Sequence, residues 1–195
     1  MIKNKAVWRQ IIVYTLYTGV LSLLQVTLPD SVAIWGRKPD LTLVLAVLAG
    51  YMFGSADGFV IGLATGLMRD LLAGRALGLG MLILMYFGLA ASVLLRKVFK
   101  RNIVFGLVQI ALFTVVYECI IVFITFLVPA LADLPYSLPF LLSRLPQILP
   151  GQVLVNLCAG VPLIFLLAWL GPYKRSKHGD DPDETIMGDS LWRVA

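Results

Sequence analysis

Two acidic side chains stand out because they interrupt long apolar stretches of the sequence. Asp70 lies near the end of one apolar run, and Glu118 lies between Tyr117 and Cys119 in the middle of another. An ionisable group at membrane depth is costly, and it usually has a partner or a function there. Such carboxylates serve in proton transfer, in ligand binding or in hydrogen bonds between helices.

The sequence leaves several roles open for each carboxylate. Asp70 is predicted to pair with Arg75 and tie the following turn to the next helix, or to form the rim of a partner-binding or ligand-binding site, or to act in catalysis. Glu118 is predicted either to hydrogen-bond with Asn156 or Gln152 of the last helix or to form an internal polar site.

Familiar catalytic motifs are missing from the sequence. It contains no Gly-x-Ser-x-Gly elbow, no His-Glu-x-x-His and no phosphate-binding loop with a lysine. Cys119 and Cys158 have no cysteine or histidine at metal-ligand spacing and are interpreted as buried small apolar residues. We therefore expect no enzyme activity, no cofactor and no metal.

The composition is that of an integral membrane protein. Of 195 residues, 59% are hydrophobic and 14% are charged, whereas soluble domains carry about 25% charged residues. The net charge of +5 indicates the positive-inside bias of membrane proteins. No basic face interleaved with aromatic residues points to nucleic acid, so the expected surroundings are a lipid bilayer.

Glycine recurs at every fourth position over a long stretch, and Asp70 occupies the one place where it is missing. The series is Gly50, Gly54, Gly58, Gly62, Gly66, Gly74 and Gly78. Residues four apart lie near one face of a helix, and glycine there lets two helices approach closely. Close helix packing is therefore predicted along Gly58, Gly62 and Gly66, with a looser outer turn at Gly74 and Gly78.

Apolar runs of suitable length predict an all-α, polytopic membrane protein with about six transmembrane helices. The predicted helices are Trp8 to Leu28, Leu41 to Phe53, Gly58 to Leu72, Ala76 to Leu95, Ile103 to Val128 and Gln152 to Leu170. Pro39 and Asp40 mark the start of the second helix. Prolines from Pro129 to Pro150 predict an outer loop with a short interfacial helix around Leu138 to Leu145.

Charge predicts the orientation. The basic N-terminus and the loop with Arg96, Lys97, Lys100 and Arg101 are both expected in the cytoplasm, so an even number of crossings separates them. The region from Leu41 to Leu72 then crosses twice as a tight hairpin around Gly54, or enters and leaves on one side as a re-entrant hairpin. Residues 1–172 form one transmembrane domain with both termini cytoplasmic, and 173–195 form a cytoplasmic tail expected to be disordered.

An ordered set of motifs resembles the rod shape-determining protein MreD family. It runs from Pro39-Asp40 through Gly58-Phe59 and Gly62 to Asp70-Leu71-Leu72, Gly74 and Leu77-Gly78, with Glu118 as the acid of the fifth helix. The set covers about a fifth of the chain. The acidic tail after Lys177 is not part of the resemblance.

The resemblance implies a non-enzymatic inner-membrane component of the bacterial cell-elongation machinery. It would bind MreC and so help to couple MreB filaments to peptidoglycan synthases. The residues expected to bind a partner or pack are Pro39, Asp40, Gly58, Gly62, Gly66, Asp70, Gly74 and Gly78. That family is similar in fold to the substrate-binding subunits of energy-coupling-factor transporters, so uptake of a small ligand such as a vitamin is the alternative.

Overall fold

The computed structural model of the chain describes residues 2–73, 78–94, 102–127 and 138–172. This part of the chain is helical and contains no strand beyond an isolated bridge. Its helices are α1 (Ile2–Thr27), α2 (Leu41–Phe53), α3 (Ser55–Ala73), α4 (Leu79–Leu94), α5 (Ile103–Leu127) and α6 (Leu138–Trp169). Three segments, within α1, α5 and α6, are long and apolar enough to cross a membrane. The prediction of an all-helical, multi-pass membrane protein is confirmed.

Helix α2 is the centre of the bundle. Residues Leu41 to Met52 are all buried, and α2 packs against each of the other five helices. A helix that is apolar on every side needs such a position, because it has no polar face to present to water. The other helices therefore surround α2.

A single residue, Gly54, separates α2 from α3. Its φ of 117° is a backbone conformation that favours glycine. The far ends of the two helices meet again through the ion pair between Asp40 and Arg69, so α2 and α3 are antiparallel. The tight hairpin predicted around Gly54 is confirmed, while the choice between a full crossing and a re-entrant hairpin stays a prediction.

The helices alternate in direction, so the bundle has two distinct ends. At the Gly54 end, the Arg9 guanidinium donates to the Gly171 carbonyl at 3.1 Å, and the Tyr51 hydroxyl donates to the Asn102 carbonyl at 2.8 Å. The start of α1, the start of α5 and the residues that follow α6 therefore lie together. The opposite end is where α2 begins and α3 finishes, and where Gln152 and Asn156 of α6 contact the start of α2. It is called the Asp40 end.

Helix α6 corrects the prediction that the proline-rich segment is separate from the last helix. It runs unbroken from Leu138 to Trp169 through Pro146 and Pro150. These two prolines are four residues apart, so the backbone bonds that they remove fall on one side of the helix. Both prolines are exposed and burial begins at Gly151, which leaves the unpaired carbonyls outside the packed bundle.

The prediction that both cysteines are buried is wrong. Cys119 and Cys158 are exposed on α5 and α6, because a thiol is apolar enough to suit a lipid-facing surface as well as a core. Several predictions fall outside the described residues. They concern Gly74, Arg75, the basic loop with Arg96, Lys97, Lys100 and Arg101, the loop from Pro129 to Tyr136, and the tail 173–195.

Candidate functional site

Glycines of α2, α3 and α4 form a seam in which backbone lies against backbone. We call it the glycine seam; its members are Gly50, Gly58, Gly62, Gly66, Gly80 and Gly88. A Cβ added at Gly62 would meet the Leu84 carbonyl of α4, and one at Gly66 would meet the Met81 Cα. The predicted glycine face of α3 is therefore occupied by α4 of the same chain, and no partner helix fits there.

Asp70 lies at one end of this seam and caps helix α4. Its carboxylate accepts hydrogen bonds from the backbone N–H groups of Gly78 at 2.9 Å, Gly80 at 3.1 Å and Met81 at 3.1 Å. The first N–H groups of a helix lack partners within the helix, and the N-terminal end of its dipole favours negative charge. The Asp70 carboxylate thus binds the backbone at the start of α4 directly and needs no pairing with Arg75 to do so.

Asp40 begins α2 and also joins it to α3. Its Oδ1 accepts from the Leu43 N–H at 3.0 Å and from the Thr42 hydroxyl at 2.7 Å, as expected of a helix N-cap. Its Oδ2 accepts from Arg69 Nη1 at 2.8 Å. The side chains of Asp40 and Arg69 are 11% and 26% exposed, so the pair is largely removed from solvent but still reachable.

Two amide side chains of α6 hold the start of α2. Asn156 is fully buried; its Oδ1 accepts from the Asp40 N–H at 2.7 Å and its Nδ2 donates to Thr114 Oγ1 at 2.9 Å. One turn earlier, Gln152 donates to the Lys38 carbonyl at 3.1 Å. These bonds join α2, α5 and α6 at the Asp40 end.

Helix α5 completes the site with an aromatic ring and a carboxylate. The Arg69 guanidinium lies over the Tyr117 ring, 4.9 Å from its centroid. Glu118 follows and is partly buried. The predicted bond from Glu118 to Asn156 or Gln152 is absent among the described residues, because both amides are engaged as above. We call the residues Asp40, Arg69, Thr114, Tyr117, Gln152 and Asn156 the polar cluster.

The short loop between α1 and α2 lies beside the polar cluster, with Trp35 and Arg37 next to Gly151 of α6. Ile34 and Arg37 exchange two backbone hydrogen bonds, and Trp35 and Gly36 between them have φ of 51° and 72°, as in a type I′ turn. Lys38 binds the carboxylate of Asp30 at 2.9 Å. That hydrogen bond and the Lys38 charge lower the pKa of Asp30 below its ordinary value.

The sequence interpretation missed the partnership of Asp40 with Arg69, although a signal was present. The two residues stand equally far from the turn between Gly54 and Ser55, as cross-pairs in an antiparallel hairpin do. The roles of Asn156 and Thr114 had no comparable signal, since no local pattern connects α6 to α2.

The family model described as the 5TMR of 5TMR-LYT matches residues 1–138. The match contains α1 to α5 and stops at the first residue of α6. Comparisons with curated proteins and with solved structures found no match.

This match overturns the expectation drawn from the resemblance. The chain is not placed in the MreD family, and binding to MreC, coupling to MreB and a role with peptidoglycan synthases are withdrawn. Neither the vitamin-uptake alternative nor the transporter-subunit fold has support. The physical reason lies in the motifs, because Asp40 and Asp70 cap helices and Gly62 packs within the bundle. Helix capping by aspartate and close packing at glycine occur in any tight membrane hairpin, so these motifs do not identify one family.

Proposed function

The chain belongs to the 5TMR-LYT family, five-transmembrane receptors of LytS-type histidine kinases, and we propose that it is a membrane-embedded sensory domain. Its role would be to change conformation when a signal reaches it and to pass that change to a kinase partner. Within this proposal the chain is not itself an enzyme. It is a multi-pass protein of the inner membrane. The match to five helices of the described bundle supports the proposal.

The observation that carries the proposal is the ion pair between Asp40 and Arg69. A pair of charges inside a membrane bundle is costly and is weak evidence for a stabilising role, so its residues are candidates for a functional site. This pair joins the start of α2 to the end of α3, and both side chains keep some exposure. A ligand that binds better to one arrangement of the pair than to another would shift the population of the two states.

We also propose that the Asp40 end faces outward and that both chain ends lie in the cytoplasm. Lys3, Lys5 and Arg9 support this orientation, and Arg9 and Gly171 are neighbours at the opposite end. Single cysteines at Trp35 and Ser55, in a background lacking Cys119 and Cys158, test it with an impermeant thiol reagent. Trp35→Cys should react from outside and Ser55→Cys only from inside; reaction of Ser55→Cys from outside contradicts a full crossing.

The sensory role is tested by response-regulator phosphorylation in cells. Deletion of the gene for this chain should change the phosphorylation of at least one response regulator, and expression of the intact chain should restore the original phosphorylation. Asp40→Asn should insert normally yet fail to restore the signal, whereas Gly19→Ala should restore it, because no atom lies within 4 Å of a Cβ at Gly19. If deletion leaves every response regulator unchanged, the chain is not a sensory domain.

A further inference from the structure

Two opposite charges at the Asp40 end, those of Arg37 and Glu118, attract each other without being in contact. The Arg37 guanidinium and the Glu118 carboxylate each lack an ion pair and a hydrogen bond within the part of the chain that the structure describes. Both residues are partly buried. Charges held partly out of water are costly when they are not in direct contact with an opposite charge. Both Arg37 and Glu118 therefore remain available to hydrogen-bond with a ligand.

The packing of α5 on α6 brings these two charges to the same level of the bundle. Thr114 of α5 is bonded to Asn156 of α6. Glu118 is one turn beyond Thr114, and Gln152 is one turn before Asn156, so in antiparallel helices they stand at the same height. Arg37 is there too, because a Cβ at its neighbour Gly151 would lie 3.4 Å from the Arg37 Cγ.

Asp40 and Arg69 of the polar cluster lie close enough to Glu118 to interact with its charge. Arg69 gives one N–H of its guanidinium to Asp40 and rests on the Tyr117 ring. The charges of Arg37 and Arg69 balance those of Asp40 and Glu118, so the site is neutral as a whole. A bare anion would leave Glu118 facing it without compensation, and a bare cation would do the same to Arg37. A molecule with one charge of each sign fits both.

We propose that Arg37, Glu118 and the Asp40–Arg69 pair form the binding site of a small zwitterion, an amino acid or a close relative with one carboxylate and one ammonium group. The proposal rests on the sensory function above and names its ligand class. The ligand carboxylate binds the planar guanidinium of Arg37, which suits bidentate hydrogen bonding. The ligand ammonium binds the carboxylate of Glu118, and the Tyr117 ring lies beside it.

Direct binding to the purified full chain in lipid nanodiscs tests this site. The probes are the individual proteinogenic amino acids, measured by thermal shift and then by isothermal titration. For an amino acid that binds, the deaminated acid and the decarboxylated amine are measured next. Each should bind about tenfold or more weakly, because each loses one charge-assisted hydrogen bond. Glu118→Gln and Arg37→Gln should weaken binding of the amino acid to a similar extent. The first substitution removes the partner of the ligand ammonium, and the second removes the partner of the ligand carboxylate.

Cys119→Ser is the matched control, since Cys119 is the next residue of α5 and is exposed on its surface. It should bind like the parent. The proposal is overturned if no amino acid binds, if a deaminated acid binds as tightly as its amino acid, or if both glutamine variants bind like the parent. Failure here with an intact response-regulator signal rejects only the ligand class. Binding without any such signal rejects the sensory function instead.

Discussion

The glycine seam and the polar cluster share helix α3 and hold it in different ways. In the seam, Gly58 and Gly62 lie against the α4 backbone, where an added Cβ would collide with the carbonyls of Gly88 and Leu84. In the polar cluster, Arg69 near the end of the same helix reaches α2 and α5 through a long side chain. The glycine seam leaves no room for an added side-chain atom, whereas the polar cluster is held by flexible side chains with polar ends.

The difference separates a rigid part of the bundle from an adjustable one. Lipid chains are as apolar as leucine, so membrane helices associate through close van der Waals packing and interhelical hydrogen bonds. The seam uses the first means and fixes α2, α3 and α4 as one body. The polar cluster uses the second to attach α5 and α6, and hydrogen-bonded side chains can exchange partners without moving a backbone. Signals are therefore expected to act on the cluster.

The largest effect is predicted for Gly62→Ala in the seam. The new Cβ would overlap the backbone of Leu84, and a backbone cannot move aside as a side chain can. Overpacking costs about 1–3 kcal/mol and occasionally more, so we expect a loss of about 3 kcal/mol in unfolding free energy. Unfolding of the detergent-solubilised protein, followed by circular dichroism, measures it.

Gly19→Ala on α1 is the control for that substitution. No atom lies within 4 Å of a Cβ at Gly19, and alanine is favoured over glycine in a helix by up to about 1 kcal/mol. The control should be neutral or slightly stabilising. Equal stability of the Gly62→Ala and Gly19→Ala variants would mean that the seam is not the rigid part of the bundle.

The two regions also differ in how far the sequence predicts them. The seam is periodic within one segment, so Gly58, Gly62 and Gly66 could be assigned to a common helix face from spacing alone. The turn at Gly54 and the helix start at Asp40 follow from local residue chemistry in the same way. The polar cluster joins positions as distant as Asp40 and Asn156, which are 116 residues apart. Such a bond depends on which helices become neighbours, and no local pattern states that.

An intermediate effect is predicted for Asp40 in the polar cluster. Asp40→Asn retains an oxygen that can cap α2 but leaves the Arg69 guanidinium without its counter-charge. Breaking a buried pair costs about 3–5 kcal/mol. Because these side chains are 11% and 26% exposed, we expect about 2 kcal/mol after allowance for solvent screening. Asp40→Ala should cost about 0.5 kcal/mol more, since the cap is lost as well.

A double substitution decides whether that loss comes from the ion pair. Asp40→Asn with Arg69→Met removes both charges, so it should be more stable than Asp40→Asn alone. The same unfolding measurement applies to both variants. A loss of unfolding free energy in the double variant equal to the sum of the losses from the two single substitutions would show that Asp40 and Arg69 act independently. The polar cluster would then be no more coupled than the seam.

The smallest effect is predicted at the exposed edge of the loop, where Asp30 meets Lys38. The hydrogen bond and charge of Lys38 lower the pKa of Asp30, so the pair persists below the ordinary aspartate pKa of about 3.9. Any stability it adds is present above that pH and is lost as the pH falls through the lowered value. Carboxyl-carbon NMR shifts of Asp30 should therefore titrate at more acidic pH in the parent than in Lys38→Met, while Lys38→Arg should stay close to the parent.

Identical titrations in the parent and Lys38→Met would show that Lys38 does not lower the pKa of Asp30. Because Asp30 is fully exposed, unfolding of the bundle should change little in any of these variants, in contrast to Asp40 in the cluster.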